Sequence, residues 1–100
     1  MMMKKKTINL AIQVLPTSSK KHPYAIVVEA IAVIKEAGIP YIVCPFETVI
    51  EAPYDEAMDI AKKVQEACYE AGADKLMCYI KIQSSVEDNI TIQDKMEKYE

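Results

Sequence analysis

The sequence contains no arginine and no tryptophan, and has a single phenylalanine, a single histidine and two glycines. Each scarcity removes a class of chemistry. Without arginine there is no planar fork for bidentate phosphate recognition. Twelve lysines against fifteen acidic residues, a net charge of −3, leave no basic stripe to neutralise a nucleic-acid backbone. Nucleic acid is therefore not an expected partner. Gly38 and Gly72 each close an apolar helical pattern and read as C-terminal caps, so neither is left for a phosphate-cradling loop. The one histidine, His22, lies in a lysine-rich loop with no serine or cysteine placed beside it, which leaves no nucleophile and base pair. Three cysteines, Cys44, Cys68 and Cys78, are an odd number without a C-x-x-C spacing, and they read as small apolar residues rather than as metal ligands or a disulfide framework. No catalytic residue, metal or catalytic cofactor is expected, and the chain does not read as an enzyme.

No stretch approaches the roughly 18 consecutive apolar residues of a membrane helix. Met1 to Lys6 carries positive charge, but Asn9, Gln13 and Ser18 interrupt the apolar part that follows and no small-residue cleavage site appears. A cytoplasmic protein with residues 1–6 frayed is expected. With 51% apolar and 27% charged residues over 100 positions, one domain spanning 1–100 and holding one core is the natural organisation.

Thr7 to Leu15 alternates Ile8, Leu10, Ile12 and Val14 with Thr7, Asn9, Ala11 and Gln13, the period of a strand, which Pro16 to Ser19 should break. Pro23 opens an apolar helix over about 24–37. Pro40 then excludes helix, and Tyr41 to Cys44 reads as a second strand whose Pro45 marks an edge or bulge. Thr48 to Glu51 forms a third strand paired with the second. Pro53 opens the clearest helix, in which Ala57, Ile60, Ala61, Val64, Ala67, Cys68 and Ala71 recur at spacings of three and four with Asp55, Glu56 and Asp59 in the early turns. Lys75 to Gln83 alternates again as a fourth strand, and Thr91 with Asp94 caps a short final helix to about Tyr99. The order βαββαβ is that of an α+β ferredoxin-like sandwich: an antiparallel four-stranded sheet, two helices on one face, and a short C-terminal helix.

Two surfaces of such a sandwich would lack cover. The outer sheet face would carry Ala11, Leu15, Met77 and Tyr79, and the first helix has only Glu29, Lys35 and Glu36 as charges. Self-association would bury both. A monomer with some exposed apolar side chains is the alternative.

Polar residues inside strands are the candidate site. Gln13, Thr48 and Glu51, walled by Phe46 and Tyr54, could be the few convergent polar groups of an apolar pocket that reads the edge of a flat heterocycle. Strands one and three are neighbours in this topology, though only the register decides whether Gln13 and Thr48 share a face. The structural alternative is that Glu51 pairs with Lys81.

Thr48-Val49-Ile50-Glu51-Ala52-Pro53-Tyr54-Asp55-Glu56-Ala57-Met58 resembles the T-x-x-E-G-x-[W/F]-[D/E]-E-x-M signature of the small thiamine-binding proteins. Gln13 to Pro16, Ala37 to Pro40, Ile80 to Ile82 and Ile90 to Met96 are similar to the same family, so the resemblance spans nearly the whole chain. Ala52 stands in place of the usual Gly, Glu47 occupies a position often small, and Ser84-Ser85 stand where many members carry Arg or acidic residues. The resemblance implies a ferredoxin-like fold, homotetramers built as dimers of dimers that join sheets, and non-catalytic binding of thiamine or its hydroxymethylpyrimidine half as ligand. A structural or regulatory homo-oligomer that uses its sheet for partner contact is the competing expectation.

Overall fold

The computed structural model describes residues 6–99. Of the start expected to fray, residues 1–5 lie outside the described residues. Strand β1 runs Thr7–Thr17, two residues beyond the expected end. It pairs with β3 only as far as Ile12↔Thr48 and with β4 as far as Thr17↔Lys75, so Pro16 sits where one side of the strand is free. Helix α1 covers Pro23–Glu36 with proline at its start. His22 is its N-cap, its Nδ1 accepting the Tyr24 N–H at 3.2 Å, so the lone histidine has a structural role. Gly38 follows at φ 71°, a conformation that a side chain would strain.

The short β2 (Tyr41–Val43) and β3 (Thr48–Pro53) pair as expected, and α2 (Tyr54–Glu70) begins directly after Pro53. Gly72, at φ 114°, ends the run and turns the chain into β4 (Lys75–Gln83). Ser19 N–H donates to Asp74 Oδ2 at 2.7 Å across this junction, and that bond holds the Asp74 carboxyl below its ordinary range. A five-residue α3 (Ile92–Met96), capped by Thr91 Oγ1 accepting from Asp94 N–H at 3.0 Å, continues as a 3-10 turn over Glu97–Tyr99.

The strands form one antiparallel sheet in the order β2-β3-β1-β4. Ile8, Leu10 and Ile12 from β1 and Ile50 and Ala52 from β3 meet Ile26, Ala30 and Ile34 of α1 and Ala57, Ile60, Ala61, Val64 and Cys68 of α2 in one core. Each large side chain fully removed from water there contributes about 1.5–3 kcal/mol before entropy is counted. This is the ferredoxin-like α+β architecture. The outward side of α1 remains apolar, with Tyr24 and Val28 exposed.

Candidate functional site

The β1–β3 register decides how the polar strand residues are distributed. Ile8, Leu10 and Ile12 face the helices and stand opposite Ala52, Ile50 and Thr48. Thr48 therefore belongs to the inner face, where it is 5% exposed, while Gln13, Asn9 and Glu51 belong to the alternate set on the outer face. Gln13 and Thr48 thus belong to alternate faces of the strands, although both border one cleft where the β1–β3 ladder ends. Tyr54, at the start of α2, packs half-buried against the core.

Two concavities border these residues. On the helix side, Gln13, Thr48, Cys44, Phe46 and Glu47 share a cleft of ≈ 100 Å³ with α1 residues Val27, Ala30, Ile31 and Ile34. Phe46 is 81% exposed there and walls it weakly. On the outer face, a groove of ≈ 280 Å³ is lined by Asn9, Ala11, Glu47, Val49, Lys81, Gln83 and Lys95. Its floor is the small pair Ala11↔Val49, which leaves space above the backbone, and polar groups stand at both ends.

The alternative pairing of Glu51 with Lys81 is not formed. Lys81 Nζ lies 3.0 Å from Glu47 Oε1, whereas Glu51 Oε1 accepts the backbone N–H of Ile92 at 2.6 Å. The reason is the C-terminal segment, which crosses the outer face at the end where Glu51 sits. Thr7 N–H donates to Asn89 Oδ1 at 2.8 Å, Ile90 N–H donates to Thr7 O at 2.9 Å, and Lys95 Nζ donates to Gln83 Oε1 at 2.9 Å.

Under that segment lies a residue that sequence reasoning treated only as part of an alternation. Asn9 is 3% exposed, and its Nδ2 donates to Ile90 O at 3.0 Å. Its Oδ1 is the one buried side-chain polar atom without a hydrogen-bond partner among the described residues. A buried acceptor left unmatched costs about 1–3 kcal/mol, so such atoms are rare in folded proteins. An Asn in a strand otherwise alternating Ile and Leu was the available signal; its burial depends on a segment some 80 residues away.

The three cysteines are free, with Cys68 buried and Cys44 and Cys78 half-buried. Burial pushes the Cys68 thiol upward, with the neighbouring Cys78 adding to the shift, and burial alone raises Cys78. Both are thereby held as unreactive thiols at neutral pH. Among the described residues no group of three His, Cys, Asp or Glu side chains is arranged to hold a metal ion, and no helix is long and apolar enough to cross a membrane.

The chain is a small ferredoxin-like α+β sandwich whose open sheet face carries a groove lined by the polar side chains of Asn9, Glu47 and Gln83 and by the amines of Lys81 and Lys95. Residues 10–100 match the family of thiamine-binding proteins, and the chain belongs to that family. It is 33% identical over 93 residues to a UPF0045 protein of Clostridium perfringens, covering 93% of this chain and 97% of that one. Among solved structures it resembles a domain of unknown function, DUF77, from Bacillus cereus (TM-score 0.92, 33% identity, 95% of this chain and 91% of that one). It also resembles a Thermotoga maritima protein provisionally assigned to thiamine biosynthesis or salvage (TM-score 0.85, 26% identity, 94% and 99%).

Proposed function

We propose that this protein binds thiamine, or its hydroxymethylpyrimidine half, non-catalytically on the outer face of its sheet. The observation that carries this reading is the unmatched Asn9 Oδ1 beside the groove, directly across the ladder from the Glu51 carboxylate. Two acceptors at facing strand positions suit a ligand edge that donates. The aminopyrimidine has an amino group for one of them and, when protonated on the ring, a second N–H for the other. Ala11 and Val49 provide a flat apolar floor, and the Glu47 carboxylate lies two rows further along, about 13 Å at the usual strand rise. That span suits a molecule of two linked rings, whose thiazolium would take the place of the Lys81 ammonium now 3.0 Å from Glu47 Oε1. Thiamine is a ligand in this reading, not a catalytic cofactor. Membership of the thiamine-binding family supports the choice of ligand class.

Calorimetric titration of the purified chain with thiamine and with hydroxymethylpyrimidine tests it. Saturable binding of either that Asn9→Ala weakens supports the reading, and absence of heat with both overturns it.

A second reading, a structural or regulatory homo-oligomer without a small ligand, is favoured by Leu15 and Met77, opposite each other on the outer face and 45% and 55% exposed, with Tyr79 beside them at 52%. Assembly as a dimer of dimers is compatible with both readings, because these side chains lie beyond the groove.

A further inference from the structure

After β4 the chain doubles back as residues 84–99 and lies across the outer face on polar contacts. Ser85 Oγ accepts the N–H groups of Glu87 and Asp88 at 3.2 and 3.1 Å to form the turn. The segment is then anchored through Asn89, Ile90, Ile92 and Lys95. No residue of α3 or of the 3-10 turn is buried, and Met96 and Tyr99 are exposed. A segment held by hydrogen bonds with little apolar burial opens at lower free energy than the core beneath it. What it covers is specific: Asn9 lies sealed under it, and its contact to Glu51 uses the very carboxylate that faces Asn9.

We infer that residues 84–99 form a strap that competes with the ligand, so that strap closure and occupation of Asn9 and Glu51 exclude one another. The inference rests on the outer-face reading of the site. The Asn9 acceptor is out of contact with solvent while the strap is closed, and Glu51 Oε1 is already taken by the Ile92 N–H. A ligand that reaches the buried Asn9 Oδ1 must displace the segment sealing it, and the bonds at Ile90 and Ile92 open with that segment. The closed state therefore lowers the apparent affinity by the fraction of chains that are open, and the bound ligand leaves the strap free to exchange or to meet another chain.

The test removes one donor. Ile92 is the first residue of α3, a position that accepts proline, and Thr91 before it is extended (φ −119°, ψ 148°), as a residue preceding proline must be. Ile92→Pro thus deletes the N–H given to Glu51 while preserving the helix, and Ile92→Ala controls for the lost side chain. Hydrogen exchange of the Ile90 amide is expected to quicken in the proline variant with the β1 and β3 core amides unchanged. Thiamine is expected to bind about tenfold more tightly to Ile92→Pro than to Ile92→Ala, the scale of one hydrogen bond to a charged group. Faster strap exchange with equal or weaker thiamine binding would overturn the competition and leave the site reading intact. Unchanged strap exchange would overturn the latch itself. Thiamine binding to none of the three chains, wild type included, would overturn the site reading and the competition together.

Discussion

Asn9 and Glu51 stand opposite each other across the β1–β3 ladder, and both are tied to the same C-terminal stretch, Asn9 Nδ2 to Ile90 O at 3.0 Å and Glu51 Oε1 to Ile92 N–H at 2.6 Å. Each keeps acceptor capacity beyond that tie: Asn9 Oδ1 is unmatched, and a carboxylate accepts more than one bond. A fold selected for stability alone would place an apolar side chain at position 9.

Asn9→Val should expose that compromise. The substitution removes an unmatched buried acceptor, which costs about 1–3 kcal/mol, and forfeits one ordinary hydrogen bond worth about 0.5–1.5 kcal/mol. It also adds a residue that favours strands. Stability is expected to stay within about 1 kcal/mol of wild type or to rise, measured by urea unfolding, while thiamine affinity falls at least about tenfold. A loss of stability above about 2 kcal/mol would show that Asn9 is retained for folding.

Glu51→Gln and Thr48→Val separate the two faces of the sheet. Glutamine can still accept from Ile92 but carries no charge, so binding of cationic thiamine is expected to weaken by about 1.5–3 kcal/mol, roughly ten- to a hundredfold. Thr48 faces the helices, so Thr48→Val is expected to leave thiamine affinity unchanged in the same calorimetric assay. The reverse pattern would move the ligand to the helix-side cleft that Thr48 shares with Cys44 and Phe46.

The cysteines should respond to alkali in a fixed order. Cys68 and Cys78 have raised thiol pKa values, so the folded state favours their protonated forms. Their contribution to stability is fully present below the ordinary thiol pKa of about 8.5 and is lost as the pH rises from there through the higher folded values. The urea midpoint is expected to fall as the pH rises above about 8.5, and to fall less in Cys68→Ala. Iodoacetamide at pH 8 is expected to label Cys44, on the β2–β3 turn, well before the other two, as peptide mapping would reveal.

Leu15 and Met77 face each other across β1 and β4 at the uncovered end of the sheet. If that end is an interface, Leu15→Lys combined with Met77→Lys should reduce the sedimenting mass toward the 11.3 kDa of one chain. Loss of stability is expected to be small, because neither side chain belongs to the core. An unchanged sedimentation profile of an oligomeric wild type would place the contact elsewhere, the exposed Tyr24 and Val28 side of α1 being the other apolar surface.

Local sequence determined the elements and their order. Period-two alternation in β1 and β4, the three-and-four spacing of Ala57, Ile60, Ala61, Val64 and Cys68, the glycines after each long helix and the Thr91 cap are all signals carried by neighbouring residues, and βαββαβ follows from them. The Thr48 to Met58 signature likewise identified the family, because it is contiguous in the chain. Only the tertiary structure decided which polar residues meet. A one-residue change in the β1–β3 register would turn Thr48 to the face of Gln13 and Glu51 to the helix side, and nothing within β1 or β3 taken singly sets that register. Nor could local pattern show that the end of the chain returns over its beginning. Asn9 is buried, and Glu51 is bonded to Ile92 rather than to Lys81, because of contacts 81 and 41 residues apart in sequence, a distance at which only the assembled sheet brings the partners together.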